Sequence, residues 1–279
     1  MTPTYRLTPR MLDLCTRISA LLGKYEGFQS PVPQPKLRKK SRIKSIQASS
    51  AIEGNSLSLE EVTAILDGKR ITGPAKDILE IQNANKAYDI AEMLNPHSIS
   101  SLLKAHKTLM NGLIQDAGKF RTKNVGIFQG SKVKHVAPPP NRVPQLMQNL
   151  FRYLKNKKNL DLAIQSAIAH YEIEFIHPFS DGNGRIGRLW QHLILLKRHA
   201  LFKNIPFESI IHQRQKKYYQ ALEKADHQCD CTIFIEFSLD SILESLQETL
   251  QEIRPTKLTV SDRLTKAKEY FGSKVFTRK

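Results

Sequence analysis

The side chains best suited to chemistry are concentrated in residues 177–188, which read His-Pro-Phe-Ser-Asp-Gly-Asn-Gly-Arg-Ile-Gly-Arg. The Gly-Asn-Gly run at 182–184 opens directly into an apolar helical segment, so converging backbone N–H groups and the helix dipole predict an anion site there. Arg185 and Arg188 are three residues apart and therefore share one face of the first helical turn. Two guanidinium groups beside such a loop suit a polyphosphate.

Two further residues of this segment supply groups for catalysis. Asp181 is a carboxylate next to the predicted anion site, where it is suited to hold a Mg²⁺ ion that bridges phosphates. His177 is the one side chain nearby that can accept a proton near neutral pH. Together with the anion site, these groups predict phosphoryl- or nucleotidyl-transfer chemistry.

Each of these features also has a simpler structural interpretation. Glycines often serve turns, paired arginines can be surface charges, and a histidine before a proline is often structural. His170 could join His177 and Asp181 in a metal site, but its position in an apolar helical stretch favours a core histidine. We favour the functional interpretation because all the parts fall within twelve consecutive residues.

The segment matches every specified position of the Fic-family signature, His-Pro-Phe-x-(Asp/Glu)-Gly-Asn-Gly-Arg-x-x-Arg, and the chain resembles this family over roughly residues 40–240. The resemblance implies an all-α fold, the Fic helical bundle, with a small β-hairpin flap. It also implies a protein adenylyltransferase, which transfers AMP from ATP to a Ser, Thr or Tyr hydroxyl of a target protein. Transfer of UMP, phosphate or phosphocholine, and removal of AMP, stay open as other activities of the family.

The resemblance implies a role for each residue of the motif. His177 is the expected general base, Asp181 is expected to hold Mg²⁺, and Phe179 is expected to anchor the loop in the core. Nucleotide contacts are implied for Gly182, Asn183, Gly184, Arg185, Ile186, Gly187, Arg188, Tyr218, Tyr219, Ile127 and Gly130. Among them, the arginines are expected to bind the β- and γ-phosphates and the tyrosine pair to line the adenine pocket. Asp226 falls where some relatives have a nucleotide-contacting Asn.

A second motif, Ser-Ser-Ala-Ile-Glu-Gly-Asn at residues 49–55, resembles the inhibitory motif of the family, (Ser/Thr)-x-x-x-Glu-(Gly/Asn). Alone, a glutamate at a glycine-terminated helix end is common in any protein. Beside a complete Fic motif, it implies an inhibitory helix at about residues 43–55, capped or oriented by Ser49, from which Glu53 projects. The expected action is an ion pair between Glu53 and Arg188 that misplaces the triphosphate of ATP.

Residues 122–136 are the expected flap, along which a target protein would align as an added strand through backbone hydrogen bonds. The segment reads Val-Gly-Ile-Phe-Gln-Gly at 125–130 and departs from the aromatic-Ile-Gly-Gly run often found in the family. The sequence therefore does not define the target. Modification of the chain itself is expected, and a homodimer is a further expected assembly because many family members dimerise.

Hydrophobic periodicity predicts the helices that position these residues. Helices are expected at 8–22, 43–55, 60–66, 75–94, 98–114, 142–155, 160–176, 186–198, 218–225 and 233–253. A β-hairpin is expected within 118–137, where glycines punctuate β-branched and aromatic residues. The expected organisation is an N-terminal helical region at 1–55, a catalytic domain at 56–253 and a basic appendage at 254–279.

The charge is concentrated at the two ends of the chain. The sequence has 43 Lys and Arg against 26 Asp and Glu, a net charge of +17. Residues 1–50 hold ten basic and two acidic side chains, and residues 254–279 hold eight and two, so the central body is nearly balanced. The appendage resembles the opening of a winged helix-turn-helix that stops before a recognition helix. We therefore expect weak or no nucleic-acid binding, with strong salt dependence; a nucleic-acid-binding regulator is the alternative function from another class.

Composition excludes several other classes of protein. The 40% hydrophobic content argues against disorder, and no apolar run is long enough to cross a membrane. With no secretory signal and three cysteines, the expected compartment is the cytoplasm. Cys229-Asp-Cys231 lacks the spacing of a zinc site.

Overall fold

The computed structural model describes residues 3–27, 35–129, 132–157 and 159–253, and it is mostly helical, as the sequence predicts. The expected appendage at 254–279, with its opening of a winged helix, lies outside the described residues. The helices are α1 Pro9–Gly27, α2 Pro35–Ile52, α3 Leu59–Leu66, α4 Ala75–Ala91, α5 Ile99–Met110, α6 Val143–Asn156, α7 Leu162–Ile176, α8 Asn183–Arg198, α9 Phe207–Gln213, α10 Gln215–Gln228 and α11 Thr232–Ile253. Two 3₁₀ turns are present in the described residues: Pro140–Arg142 directly precedes α6, and Ala200–Asn204 lies between α8 and α9.

Helices α7 and α8 pack against each other at the centre of the molecule. They contribute to both hydrophobic clusters of the core, one shared with α2 to α6 and the other shared with α1 and α9 to α11. Phe179 and Trp190 are fully buried in the first cluster, and burying a large apolar side chain stabilises a fold by about 1.5–3 kcal/mol. The loop that joins α7 and α8 is therefore held by two helices that lie in both parts of the hydrophobic core.

Helix α2 is fixed to its neighbours by buried polar contacts as well as apolar ones. The carboxylate of Glu208, which is fully buried, accepts hydrogen bonds from Ser45 Oγ at 2.6 Å and from Tyr88 Oη at 2.8 Å. Ser41 Oγ donates to the carbonyl of Asn204 at 2.8 Å. Because buried polar groups are costly when left unpaired, these bonds define how α2 lies on α4 and α9.

Helix α3 begins at Leu59, one residue before the predicted start, and Ser58 is its N-cap. Ser58 Oγ accepts a hydrogen bond from the backbone N–H of Glu61 at 3.2 Å, and the Glu61 carboxylate accepts from the N–H of Ser58 at 2.8 Å. This reciprocal capping box satisfies two backbone donors at the helix start. Substitution of such an N-cap costs about 1 kcal/mol.

The predicted helix at 43–55 is wrong at both ends. Helix α2 begins at Pro35. The periodicity placed its start at 43 because residues 36–42 are mainly basic and show no apolar period. Ion pairs hold this part instead, among them Arg42 with Asp89 at 2.6 Å. The helix ends at Ile52, and Gly54 has a left-handed φ of 90°, so Glu53 lies in the turn after the helix instead of projecting from its face.

Other boundaries also differ from the periodicity. Helix α8 begins at Asn183, three residues before the predicted start at 186. The apolar pattern missed the first turn of this helix because that turn carries polar residues of the motif. Helices α4 and α5 end at Ala91 and Met110, earlier than predicted. The short helix α9 was not predicted, since seven residues are too few to show a helical period.

The segment at 118–137 contains two short antiparallel strands, β1 Gly126–Gln129 and β2 Lys132–Val136. Gly126 pairs with Val136 and Ile127 with His135, and the register shifts after Ile127. Residues 130 and 131 lie outside the described part, so a flap over 122–136 stays a prediction. Among the described residues, no helix is both long and apolar enough to span a membrane.

Candidate functional site

The motif residues form a tight loop between the end of α7 and the start of α8. His177 caps α7 in the left-handed conformation, with φ 50° and ψ 59°, which is uncommon for a residue other than glycine. Asn183 folds the loop back on itself, since its Oδ1 accepts from the N–H of Phe179 at 2.9 Å and its Nδ2 donates to the Phe179 carbonyl at 3.0 Å. Gly182 precedes α8 with φ 83°. The loop is thus held by its own side chains.

His106 of α5 supports the same loop and was missed in the sequence analysis. Its Nε2 bonds the carbonyl of Asp181 at 2.9 Å, and its Nδ1 accepts from the N–H of Gly118 at 2.9 Å. A carbonyl only accepts, so the proton must sit on Nε2. Burial lowers the pKa of His106 to about 4, which keeps the ring neutral. The ring also stacks on Phe179, with ring centroids 3.6 Å apart.

His177 is partly buried and its imidazole is oriented by the end of α7. Nδ1 donates to the carbonyl of Glu174 at 3.2 Å, which assigns the proton to that nitrogen and the proton-accepting lone pair to Nε2. The carbonyl of His177 accepts a bond from Arg121 Nε at 2.7 Å. Burial opposes ionisation of Glu174, but the interaction with His170 and the nearby positive charge of Arg188 hold the pKa of that carboxyl at about 2.

Arg188 is fully buried and is held by the end of α2. Its Nε donates to Ser49 Oγ at 3.0 Å, and its Nη2 donates to the Ser49 carbonyl at 2.9 Å and to Glu53 Oε1 at 2.7 Å. Burial alone would lower the pKa of Arg188, but the charge of Glu53 raises it above its usual value. Ser49 therefore contacts the arginine directly instead of capping a helix.

The carboxylate of Glu53 lies against the first turn of α8. A Cβ atom placed on Gly184 would overlap Glu53 Oε1, so only glycine leaves room for the carboxylate there. This is the point at which the N-terminal N–H groups of α8 favour negative charge. In this conformation the anion at the start of α8 is the side chain of Glu53.

Arg185 has acidic partners of its own. It is paired with Glu80 of α4 and, at 2.9 Å, with Asp181. Glu80 is buried, and its second oxygen accepts from Asn55 Nδ2 at 2.8 Å. Sequence analysis missed Glu80 because nothing near it in the chain points to the motif, from which it is separated by about a hundred residues. Both arginines of the motif are thus held by carboxylates outside the α7–α8 loop.

The residues at this loop suit a polyphosphate and a magnesium ion. The Nε of Arg185 and the Nη1 of Arg188 are buried N–H groups without an acceptor among the described residues, and an incoming anion would satisfy such groups. Asp181 is 47% exposed beside them. Mg²⁺ takes one or two carboxylates together with phosphate oxygens, so one exposed carboxylate fits it. No cluster of three or more His, Cys, Asp or Glu in the described ranges is arranged to hold a metal, including His170 with His177 and Asp181.

The residues expected on the adenine side lie close to the end of α2. Tyr218 is buried, and its hydroxyl contacts His170 Nε2 at 3.0 Å and Glu174 Oε1 at 3.1 Å. Tyr219 is half-exposed and donates to the carbonyl of Ile52 at 3.2 Å. His170 is a fully buried core residue, as predicted.

The other residues for which the sequence predicts a nucleotide contact lie in several separate elements of the fold. Asp226 accepts a bond from Tyr171 Oη at 2.9 Å. Ile186 and Gly187 are buried in α8, and a Cβ atom on Gly187 would lie 2.9 Å from His170 Cδ2, so this glycine permits close packing of α7 on α8. Ile127 belongs to β1, and Gly130 lies outside the described residues.

Comparison with known proteins identifies the family of this fold and loop. Residues 96–195 match the Fic/DOC family. The chain is similar to the crystal structure of a Fic family protein from Desulfovibrio desulfuricans G20, with 40% identity and a TM-score of 0.86 over 95% of this chain and 86% of that one.

Several curated relatives carry the name protein adenylyltransferase Fic, among them the following two. The relative from Nematostella vectensis is 29% identical over 220 residues, 74% of this chain and 48% of that protein. The relative from Aedes aegypti is 31% identical over 214 residues, 72% of this chain and 40% of that protein. The chain thus spans under half the length of these relatives. By its match in sequence and structure to the solved Fic family protein, the chain belongs to the Fic/DOC family.

Proposed function

We propose that this chain is a protein adenylyltransferase, which transfers AMP from ATP to a hydroxyl side chain of a target protein. The observation that carries the proposal is the α7–α8 loop, where His177, the start of α8 and two buried arginines meet. The names of the curated relatives support the same reaction. The chemistry is nucleophilic attack on a phosphorus atom, for which positioning and charge stabilisation are the main protein contributions.

The phosphates of ATP bind at the start of α8. The backbone N–H groups at the start of α8 favour an anion, and Gly184 adds no side chain beside them. Arg185 binds the β-phosphate and Arg188 the γ-phosphate, where their unpaired buried N–H groups gain acceptors. Tyr218 and Tyr219 line the adenine side. Contacts of Ile127 and Gly130 with the nucleotide, which the family resemblance implies, are also part of the proposal.

His177 acts as the general base. Because Nδ1 donates to the Glu174 carbonyl, Nε2 receives the proton of the target hydroxyl. The hydroxyl oxygen forms a bond to the α-phosphorus of ATP, and the bond to the β-phosphate oxygen breaks, which releases pyrophosphate. Asp181 would hold Mg²⁺, which supplies positive charge that neutralises the phosphate oxygens.

Glu53 restrains the reaction. Its carboxylate occupies the anion position at Gly184 and pairs with Arg188, so the γ-phosphate competes with a negative charge already present. ATP then binds with a displaced triphosphate, and its α-phosphorus is out of line with the target hydroxyl.

The target protein aligns along the hairpin as an added strand, and the chain itself is one such target. We also propose that the chain forms a homodimer, that it is located in the cytoplasm, and that it binds nucleic acid weakly or not at all. The domain organisation stays part of the proposal, with residues 1–55 as the N-terminal inhibitory region, 56–253 as the catalytic domain and 254–279 as the appendage.

Labelled ATP tests the reaction type. The Glu53→Gly protein is incubated with Mg²⁺ and ATP labelled at the α- or the γ-phosphorus, and protein-bound label is counted. Adenylyl transfer predicts incorporation from α-labelled ATP only, and loss of that incorporation in Glu53→Gly with His177→Ala. Incorporation from γ-labelled ATP would indicate phosphoryl transfer and contradict the proposal.

A further inference from the structure

Arg121 is a buried arginine for which the proposed mechanism has no role. It lies in the connection between α5 and β1 and is 3% exposed. Its side chain donates to four backbone carbonyls: Nε to His177 at 2.7 Å, Nη2 to Pro138 at 2.5 Å and Ile176 at 3.3 Å, and Nη1 to Lys123 at 2.9 Å. Its backbone N–H donates to the carbonyl of Pro178 at 3.0 Å. Burial disfavours the charged form of Arg121 and lowers its pKa. The fold thus holds a positive charge at a position where desolvation opposes it.

Two of these carbonyls flank the α-carbon of His177. The Ile176 carbonyl belongs to the peptide plane before that atom, and the His177 carbonyl belongs to the plane after it. Because φ and ψ are the rotations of these two planes, a group that binds both carbonyls fixes the backbone of His177. The left-handed conformation of His177 needs such support, since it is unfavourable for a residue with a side chain. The direction of the imidazole follows from that backbone.

The other two carbonyls belong to the hairpin segment. Lys123 precedes β1 and Pro138 follows β2, so one guanidinium binds both ends of the hairpin where they leave the helical body. The planar fork of arginine, with its five donors, can serve all four acceptors at once, whereas a lysine ammonium cannot span them. Arg121 thus links the backbone of His177, the proposed general base, to the two ends of the hairpin.

We propose that Arg121 is a positioning residue that sets the distance between His177 Nε2 and a target hydroxyl aligned on the hairpin. This inference rests on the proposed adenylyltransferase activity. It assigns Arg121 no contact with ATP, whose phosphates are placed at the start of α8. Loss of Arg121 should therefore slow transfer without weakening ATP binding.

The test uses Glu53→Gly as the active parent and adds Arg121→Met or Arg121→Lys. The kcat and the KM for ATP are measured from the transfer of AMP to the chain itself, with ATP labelled at the α-phosphorus. Misplacement of a catalytic group by about 1 Å costs about 10²-fold in rate, so Arg121→Met is expected to lower kcat about 10²-fold with KM changed less than about 2-fold. Arg121→Lys should recover part of this loss. Arg198→Met, which removes a partly buried arginine paired with Asp161, is the matched control and should keep the parental kcat.

An unchanged kcat in Arg121→Met would overturn the inference, as would a KM that rises in step with the fall in kcat. If Arg121→Met does not fold, Arg121→Lys decides alone: a lower kcat at parental KM supports the positioning role, and parental values of both overturn it. Absence of AMP transfer in the Glu53→Gly parent would instead contradict the proposed function, on which this inference depends.

Discussion

Removal of the Glu53 carboxylate should release the reaction, and the structure sets the size of the effect. Glu53 Oε1 lies 2.7 Å from Nη2 of the fully buried Arg188, and the Glu53 side chain is 30% exposed. With charge centres about 4 Å apart and an effective dielectric constant of about 20, the attraction is about 4 kcal/mol. Partial exposure of Glu53 reduces this, and we take about 3 kcal/mol as the cost of opening the pair.

A cost of about 3 kcal/mol corresponds to on the order of 10²-fold in the population of ATP bound in the productive position. Glu53→Gly should therefore raise the initial rate of AMP incorporation about 10²-fold at limiting ATP. Glu53→Gln keeps the shape of the side chain and a hydrogen-bond acceptor for Arg188 but loses the charge, so its rate should lie between wild type and Glu53→Gly.

The assay is the initial rate of protein-bound label from α-labelled ATP for all three proteins at equal concentration. Glu60→Gln is the matched control, since Glu60 is an exposed carboxylate in the first turn of α3, and it should behave as wild type. Equal rates for wild type and Glu53→Gly would refute the inhibitory role of the ion pair. An equal stimulation by Glu60→Gln would show that the effect is not specific to Arg188.

Three further predictions concern the α7–α8 loop. His177→Ala in the Glu53→Gly background should lower kcat about 10²- to 10⁴-fold while ATP affinity by calorimetry stays within about 2-fold, and a retained kcat would exclude His177 as the base. Gly182→Ala places a Cβ atom 2.6 Å from Met110 Sδ at a φ of 83°, so it should cost about 2 kcal/mol and lower Tm by about 4–8 °C; an unchanged Tm in calorimetry would contradict this. The pKa of His106 is about 4 in the folded protein and about 6.5 in the unfolded chain. Between these pH values only the unfolded chain binds the proton, so the free energy of unfolding should fall by about 3 kcal/mol as pH falls from 6.5 to 4. Urea unfolding across this range should show a shallower pH dependence in His106→Gln, and an identical slope would contradict the assignment.

The α7–α8 loop could be located from the sequence because its polar and charged groups are contiguous in the chain. The groups from His177 to Arg188 lie within twelve residues, and the apolar periods of α7 and α8 on either side placed them in a central position.

The partners of the loop could not be predicted because they come from distant parts of the chain. Glu80, His106 and Arg121 approach the loop through contacts that span 55 to 105 residues. Each of the three is unremarkable in its own segment, where a polar residue predicts a solvated helix face or a loop. Tertiary packing alone decides that these side chains are buried and which groups they bind.

The position of Glu53 shows the limit of helix prediction at a boundary. The motif identified the residue, but periodicity extended the helix to 55, whereas the chain turns after Ile52 and Gly54 takes a left-handed φ. That turn brings the carboxylate to Gly184. A helix that continued through residue 55 would give Glu53 a different direction.

Intact-mass spectrometry tests the central claim most directly. Wild type, Glu53→Gly and the double variant of Glu53→Gly with His177→Ala are each incubated with ATP and Mg²⁺, and the mass of the chain is measured. Protein adenylyl transfer restrained by Glu53 predicts a gain of one or more adenylyl groups in Glu53→Gly, little gain in wild type and none in the double variant. Gain of phosphoryl groups alone, or no gain in Glu53→Gly, would contradict the account.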